Sequence, residues 1–90
     1  MSKKRDRLEI IHDILDSIRK KNNRIKPTHL LYKSNLSYNM MKQYLDELMV
    51  ADLVNDGESK EGKYYTLTAK GFEYLQQYQK IREFTESFGL

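Results

Sequence analysis

The sequence predicts a mainly α fold of the α+β class, in which three helices are followed by a small β-hairpin and a long final helix. Three observations carry that prediction. Apolar residues recur at the helical period over residues 4–21 and 37–51, and Ser37 and Thr68 stand where helix N-caps belong. Two short apolar stretches, at 53–54 and 64–67, read as strands on either side of a polar run that contains glycine. Ninety residues with a hydrophobic fraction of 39% and ten aromatics make one domain spanning 1–90, with a core just large enough to fold alone.

Composition narrows the function classes. No apolar run approaches the roughly 20 residues that span a bilayer, and no uninterrupted apolar segment follows the basic N-terminus as a signal peptide requires, so no membrane partner is expected. The sequence has no cysteine, which excludes disulfides and thiolate metal sites and points to the cytoplasm. The net charge of +3 conceals an asymmetry. Residues 1–44 hold eleven Lys or Arg against four acids, a balance of +7, while residues 45–90 hold five against nine, a balance of −4. A positive field over one half draws in polyanions, of which nucleic acid is the commonest. For Lys3, Lys4 and Arg5, plain solvation of a helix is an equally good reading.

The first helix is expected from about Lys4 to Lys21. Leu8, Ile11, Ile14, Leu15 and Ile18 follow the helical period, and with Ile10 they cover an arc of roughly 160°, wide enough to pack on two sides. His12 falls on the polar side and reads as a solvated residue. The segment RKKNNRIK, residues 19–26, ends the helix with adjacent asparagines and five cations, which favour the negative end of the helix dipole. Ile25 is expected to form at most a one- or two-residue strand.

Pro27 suits the first turn of a short second helix, where its missing N–H is not needed, and Leu30 and Leu31 give that helix an apolar side. Asn35 tolerates the left-handed conformation that a sharp turn needs. The third helix, 37–51, opens at Ser37, with Leu36 and Met41 spaced as a hydrophobic staple. Met41, Tyr44, Leu45 and Leu48 share one face, and Asn39, Lys42, Gln43 and Asp46 the other. Two helices joined by about three residues, the second anchored on one face and polar on the opposite one, form a helix-turn-helix with a recognition helix.

Leu53 and Val54 then begin a strand, Asn55 to Gly62 is expected as a turn-rich loop, and Tyr64 to Leu67 is the second strand, with Tyr65 and Leu67 on one face and Tyr64 and Thr66 on the other. Thr68 caps the last helix, 68–88, and Leu67 and Phe72 are spaced as a second staple. Phe72 and Leu75 share a face near its start. Tyr74, Tyr78, Ile81, Phe84 and Phe88 form another stripe, displaced by roughly 100 to 200°, and Tyr74, Tyr78, Ile81, Thr85 and Phe88 alternate spacings of four and three, as in a short coiled-coil seam. A homodimer through Tyr74, Tyr78, Ile81, Phe84, Thr85 and Phe88 follows, with the wide face of the first helix as a possible addition; the alternative is that the helix folds back on its own domain.

The order helix, short helix, recognition helix, hairpin, helix is that of a winged helix-turn-helix with a small β-hairpin wing and a long C-terminal helix. The run YYTLTAKG, residues 64–71, resembles the second wing strand and helix start of many prokaryotic winged-helix regulators. Together with LEIIHDIL, NLSYNMMKQYLDELMVADLV and the terminal helix, it is similar to small archaeal winged-helix DNA-binding proteins, including the chromatin-associated type that dimerises through a coiled coil. The resemblance covers nearly the whole chain. It implies double-stranded DNA and a second copy of the chain as partners, a nucleoid-associated cytoplasmic location, and a role as a transcriptional regulator or an architectural protein.

By the same resemblance Tyr38, Asn39, Lys42 and Gln43 occupy the face that enters the major groove. Their chemistry agrees: Asn and Gln pair with adenine through two bonds, and Lys contacts guanine or a phosphate. Ser37 and the free N–H groups of the first turn suit a phosphate oxygen, and Arg24, Lys26 and Lys33 flank the helix as candidate backbone contacts. The wing departs from a basic pattern. It offers Lys60 and Lys63 as phosphate contacts but also carries Asp56, Glu58 and Glu61, so it is expected to add little affinity. No nucleophile motif, glycine-rich phosphate loop or His pair at metal spacing is present, so no catalysis, cofactor, metal or small-molecule substrate is expected. The alternative function is a protein–protein interaction module with this fold and no direct DNA binding.

Overall fold

The computed structural model describes residues 5–90, and Lys3 and Lys4 lie outside the described residues. Its elements are α1 (Arg7–Lys20), α2 (Pro27–Ser34), α3 (Tyr38–Val50), β1 (Val54–Ser59), β2 (Gly62–Leu67) and α4 (Ala69–Ser87). The expected start of α1 near Lys4 falls partly outside that range; the helix opens at Arg7 because Asp6 caps it. The Asp6 carboxylate accepts from the Glu9 N–H at 2.8 Å, and the Glu9 carboxylate accepts from the Asp6 N–H at 3.5 Å, a reciprocal capping box.

The width of the α1 apolar arc is used as expected. Ile10, Ile11, Ile14, Leu15 and Ile18 are buried, and the helix packs on α2, on α4 and on β2. Leu8 is the exception at 59% exposed, on the wall of an open groove that it shares with Tyr74, Tyr78 and Ile81 of α4. The core closes with Ile25, Leu30, Met41, Leu45, Leu48, Val54, Tyr65, Leu67 and Leu75. Burial of these apolar side chains, each contributing roughly 1.5–3 kcal/mol on transfer from water, is the main stabilising force.

The loop after α1 is stitched to the hairpin. Asn22 and Asn23 both adopt φ 58, a left-handed pair that turns the chain back, and the Asn23 side-chain oxygen accepts from the Leu67 N–H at 2.6 Å. Ile25 then exchanges two backbone hydrogen bonds with Tyr65, of 3.1 and 2.9 Å, so the short strand expected at Ile25 is present as a single bridge. Asn35 takes the left-handed conformation between α2 and α3, at φ 54. Ser37 caps α3 by accepting from the Met40 N–H at 3.2 Å, while Leu36 and Met41 both pack in the core as the staple requires.

The hairpin corrects the expected loop. Residues 55–59 are paired strand, in register from Val54 opposite Leu67 to Ser59 opposite Gly62, and only Lys60 and Glu61 connect the strands. The strand was hidden because Asn55, Asp56, Glu58 and Ser59 are all exposed. A ribbon wet on both faces is held by its backbone and shows no alternation of polarity. In β2 the expected alternation holds, with Tyr65 and Leu67 buried and Tyr64 and Thr66 half-buried.

Thr68 caps α4 by accepting from the Gly71 N–H at 3.0 Å and donates its own hydroxyl proton to the Asp52 carbonyl at 2.7 Å. Gly71 lets α4 approach the chain below, since a Cβ there would collide with the Leu53 carbonyl oxygen. The two residues of the expected second staple differ in burial. Leu67 is buried, but Phe72 is 39% exposed and lines a groove with His12 and Leu75. From Gln79 to Leu90 every residue is exposed, so α4 projects past the core for its last two turns and more.

Candidate nucleic-acid interface

The α3 helix divides as its period predicts. Met41, Leu45 and Leu48 are buried, and Tyr38, Asn39 and Gln43 are exposed on the side away from the core, with Tyr38 at 59%. Lys42, between Tyr38 and Asp46 on the helical wheel, is half-buried. The N–H groups of Tyr38 and Asn39 are among those that an α-helix leaves without intrahelical partners, whereas the Ser37 hydroxyl is engaged with Met40. Further along, Arg7 reaches across from α1: its guanidinium pairs with Glu47 and lies 5.5 Å from the Tyr44 ring centroid. Hydrogen bonding and charge attraction from Glu47 raise the Arg7 pKa above its usual range. The polar face therefore begins with neutral hydrogen-bonding groups at Tyr38, Asn39 and Gln43 and ends in a neutralised ion pair.

The cations expected to hold backbone fall into separate neighbourhoods. Arg24, Lys26 and Lys63 line one groove of about 370 Å³ with Lys21, His29 and Tyr64, and Glu61 stands at the same groove. Lys33 lines a second groove, of about 500 Å³, that shares Lys21 and His29 with the first and also contains Asp13 and Asp16. Those two acids are already paired, Asp13 with Arg5 at 2.7 Å and Asp16 with Lys20 at 3.1 Å and Arg19. Burial alone would push the Asp16 carboxyl up, but the hydrogen bonds from Arg19 and Lys20 outweigh it and hold it below its usual value. Lys60 stands apart at the exposed tip of the hairpin.

Lys63 is tied down within the wing. Its ammonium lies 5.7 Å from the Tyr65 ring centroid and 3.5 Å from the Asp56 carboxylate, and those neighbours raise its pKa in that order. Arg24 has the most defined seat of the group, its guanidinium carbon lying 3.9 Å from the Tyr64 ring centroid. Sequence reasoning did not place Tyr64, Lys21 or His29 at a cationic groove. The run RKKNNRIK announced the charge, but the left-handed Asn22–Asn23 turn that swings it onto the wing is a three-dimensional fact.

The aromatic stripe of α4 divides at Tyr78. Tyr74 and Tyr78 are half-buried against α1, and burial pushes both phenols up. The His12 ring stacks on Tyr78 with centroids 4.3 Å apart and planes 17° from parallel. His12 is therefore not the solvated residue that its place on the helical wheel suggested; the final helix covers that side of α1. Beyond Tyr78, Ile81, Phe84 and Phe88 are 65%, 67% and 68% exposed, Thr85 is exposed between them, and Phe84 and Phe88 meet edge to face at 5.1 Å. Ile81 and Thr85, but not the two phenylalanines, border a groove of about 670 Å³ with Leu8 and Leu90 between the start of α1 and the end of α4, rimmed by Asp6, Glu9, Arg82 and Glu86. Among the described residues no group of three or more His, Asp or Glu side chains is arranged to hold a metal ion, and no helix is long and apolar enough to cross a membrane.

Comparison with known proteins agrees with this architecture. A family model described as winged helix-turn-helix matches residues 4–86. An uncharacterized protein of Methanocaldococcus jannaschii is 31% identical over 80 residues, which is 89% of this chain but only 35% of that protein's length. Among solved structures, Sso10a-2, a DNA-binding protein from Sulfolobus solfataricus, is 27% identical with a TM-score of 0.75, covering 94% of this chain and 90% of its own. The oxidized form of MarR from E. coli shares the fold at 24% identity and a TM-score of 0.68, over 74% of this chain and 48% of its own.

Proposed function

This chain belongs to the winged helix-turn-helix family, and from that premise we propose that it binds double-stranded DNA with α3 as its reading helix. The observation that carries the reading is the split of α3 into a buried Met41–Leu45–Leu48 face and an exposed Tyr38–Asn39–Gln43 face, with Lys42 half-buried beside it. Asn39 and Gln43 are then the adenine-reading side chains, and Lys42 contacts a base or a phosphate. Ser37, Arg24, Lys26 and Lys33 hold phosphates on either side, with Lys60 and Lys63 as lesser contacts. Sso10a-2, which is DNA-binding by its description, supports the reading over nearly the full chain.

The same proposal makes the protein a homodimer, acting without catalysis as a transcriptional regulator or an architectural DNA-binding protein in the cytoplasm and on the nucleoid. The dimer is supported by Ile81, Phe84 and Phe88, three large apolar side chains about two-thirds exposed on a helix that leaves the core. Residues 68–88 are in this account the dimerisation element, with Thr85 inside the seam and Tyr74 and Tyr78 at its inner end, where they also hold α1.

Titration of a labelled duplex at several salt concentrations tests DNA binding: affinity that falls steeply with salt supports it, and no binding at low salt removes it. In that second case the exposed α4 stripe favours a protein-binding module instead. Competition between random and selected duplexes then separates a sequence-reading regulator from an architectural protein.

A further inference from the structure

Tyr64 is the residue of the wing whose surroundings are unusual. It is half-buried on β2, directly opposite Gly57 on β1, and a Cβ at Gly57 would come within 2.5 Å of the end of the Tyr64 ring. The ring therefore lies across the neighbouring strand in space that only glycine leaves open. Arg24 covers it, at 3.9 Å from guanidinium carbon to centroid. Arg24 arrives there because the Asn22–Asn23 turn and the Ile25–Tyr65 bridge fix the loop against β2 on either side of it. A planar guanidinium seated on an aromatic face keeps its N–H edge free to donate, and loses less freedom when it binds a phosphate than an unsupported side chain would.

The composition of the hairpin alone misjudges the wing. From Asp56 to Lys63 it has three acids and two lysines. In space the outer half of the hairpin, from Ser59 round the turn to Tyr64, shares a groove with Lys21, Arg24 and Lys26, with Glu61 the one acid among the residues lining it. The acidic side chains Asp56 and Glu58 are outside that lining, and Asp56 is paired with Lys63.

We infer that Tyr64 is a positioning residue, which seats Arg24 so that the groove between the wing and the loop after α1 grips a phosphodiester of the DNA backbone. This inference rests on the DNA-binding reading above, and its ligand is the phosphate group of duplex DNA. Gly57 is the second part of the device, because it admits the ring on which Arg24 lies.

The test compares salt slopes of duplex binding for the wild-type chain and for Arg24→Ala, Tyr64→Leu, Tyr64→Phe and Gly57→Ala, with thermal unfolding to establish that each is folded. One lost phosphate contact lowers the slope by about 0.9. Arg24→Ala and Tyr64→Leu should each lower it by about that amount, the double variant should lower it no further, and Tyr64→Phe, which keeps the aromatic face, should retain it. Gly57→Ala should lower it by moving the ring without deleting it, which tests the device should Tyr64→Leu fail to fold. A normal slope for Arg24→Ala, or an Arg24→Ala loss with normal slopes in Tyr64→Leu and Gly57→Ala, overturns the inference while leaving DNA binding through α3 intact. Absence of duplex binding by the wild-type chain overturns both.

Discussion

The His12 imidazole lies flat on the Tyr78 phenol ring, 4.3 Å between centroids, and this stack is the outermost contact of its kind between α1 and α4 among the described residues. It marks where α4 stops belonging to its own core. Inward of it Leu75 is buried and Tyr74 packs on the core; outward of it every α4 side chain is exposed. Replacing His12 with Ala should cost about 1 kcal/mol in urea unfolding, the usual worth of a stacked aromatic pair, while binding to DNA at a protein concentration well above the dimer constant stays unchanged. An unaltered unfolding midpoint would show that the stack contributes nothing.

The outer stripe should behave as an intermolecular seam. Phe84→Glu together with Phe88→Glu is expected to convert a dimer to a monomer in equilibrium sedimentation, with little change in the unfolding of the monomeric core, because neither side chain packs against it. A wild-type chain that sediments only as a monomer at micromolar concentration and above would remove the dimer from the account.

On α3 the side chains divide by chemistry. Asn39→Ala and Gln43→Ala should relax base preference, measured by competition between selected and random duplexes, each losing about 1–3 kcal/mol of discrimination at one position. Lys42→Ala and Lys33→Ala should weaken all sequences alike and reduce the salt slope by up to about one unit each. Equal behaviour of all four variants and the wild type would place the interface elsewhere.

Gly71 sets how closely α4 crosses the end of α3 and β1. Because an added Cβ meets the backbone oxygen of Leu53, which cannot move aside as a side chain would, Gly71→Ala should destabilise the fold by about 1–3 kcal/mol. A variant as stable as the wild type in urea would mean that α4 has another way to dock.

Asp16 supplies a pH dependence of stability. Its folded pKa lies below the ordinary value of 3.8, so its ion pairs with Arg19 and Lys20 stabilise the fold above that value and are lost as pH falls through the lower, folded one. Stability measured from pH 5 downward should fall less steeply for Asp16→Asn than for the wild type, by no more than about 1 kcal/mol for so partly exposed a pair. Identical acid profiles would show that the pairs do not form in solution.

Much of this fold could be read in the sequence because its signals are local. Ser37, Thr68 and Asn35 act through neighbours one to four residues away, and the α1 and β2 periodicities report burial directly. What stayed hidden was non-local or unpatterned. The Asn55–Ser59 strand is wet on both faces, His12 is covered by a helix more than sixty residues later, and Arg24 meets Tyr64 only through the bridge at Ile25. The exposed face of α3 was legible, whereas the separation of its flanking cations into two grooves, with Lys60 in neither, needed the hairpin's true length and the loop's path.

Backbone amide shifts recorded by NMR while a duplex is added test the central claim most directly, since they locate the DNA on the chain without altering any residue. The largest shifts are expected at residues 37–43 and smaller ones at Arg24 and Lys26, all diminishing with added salt. Shifts confined to residues 79–90, or none at low salt, would contradict it.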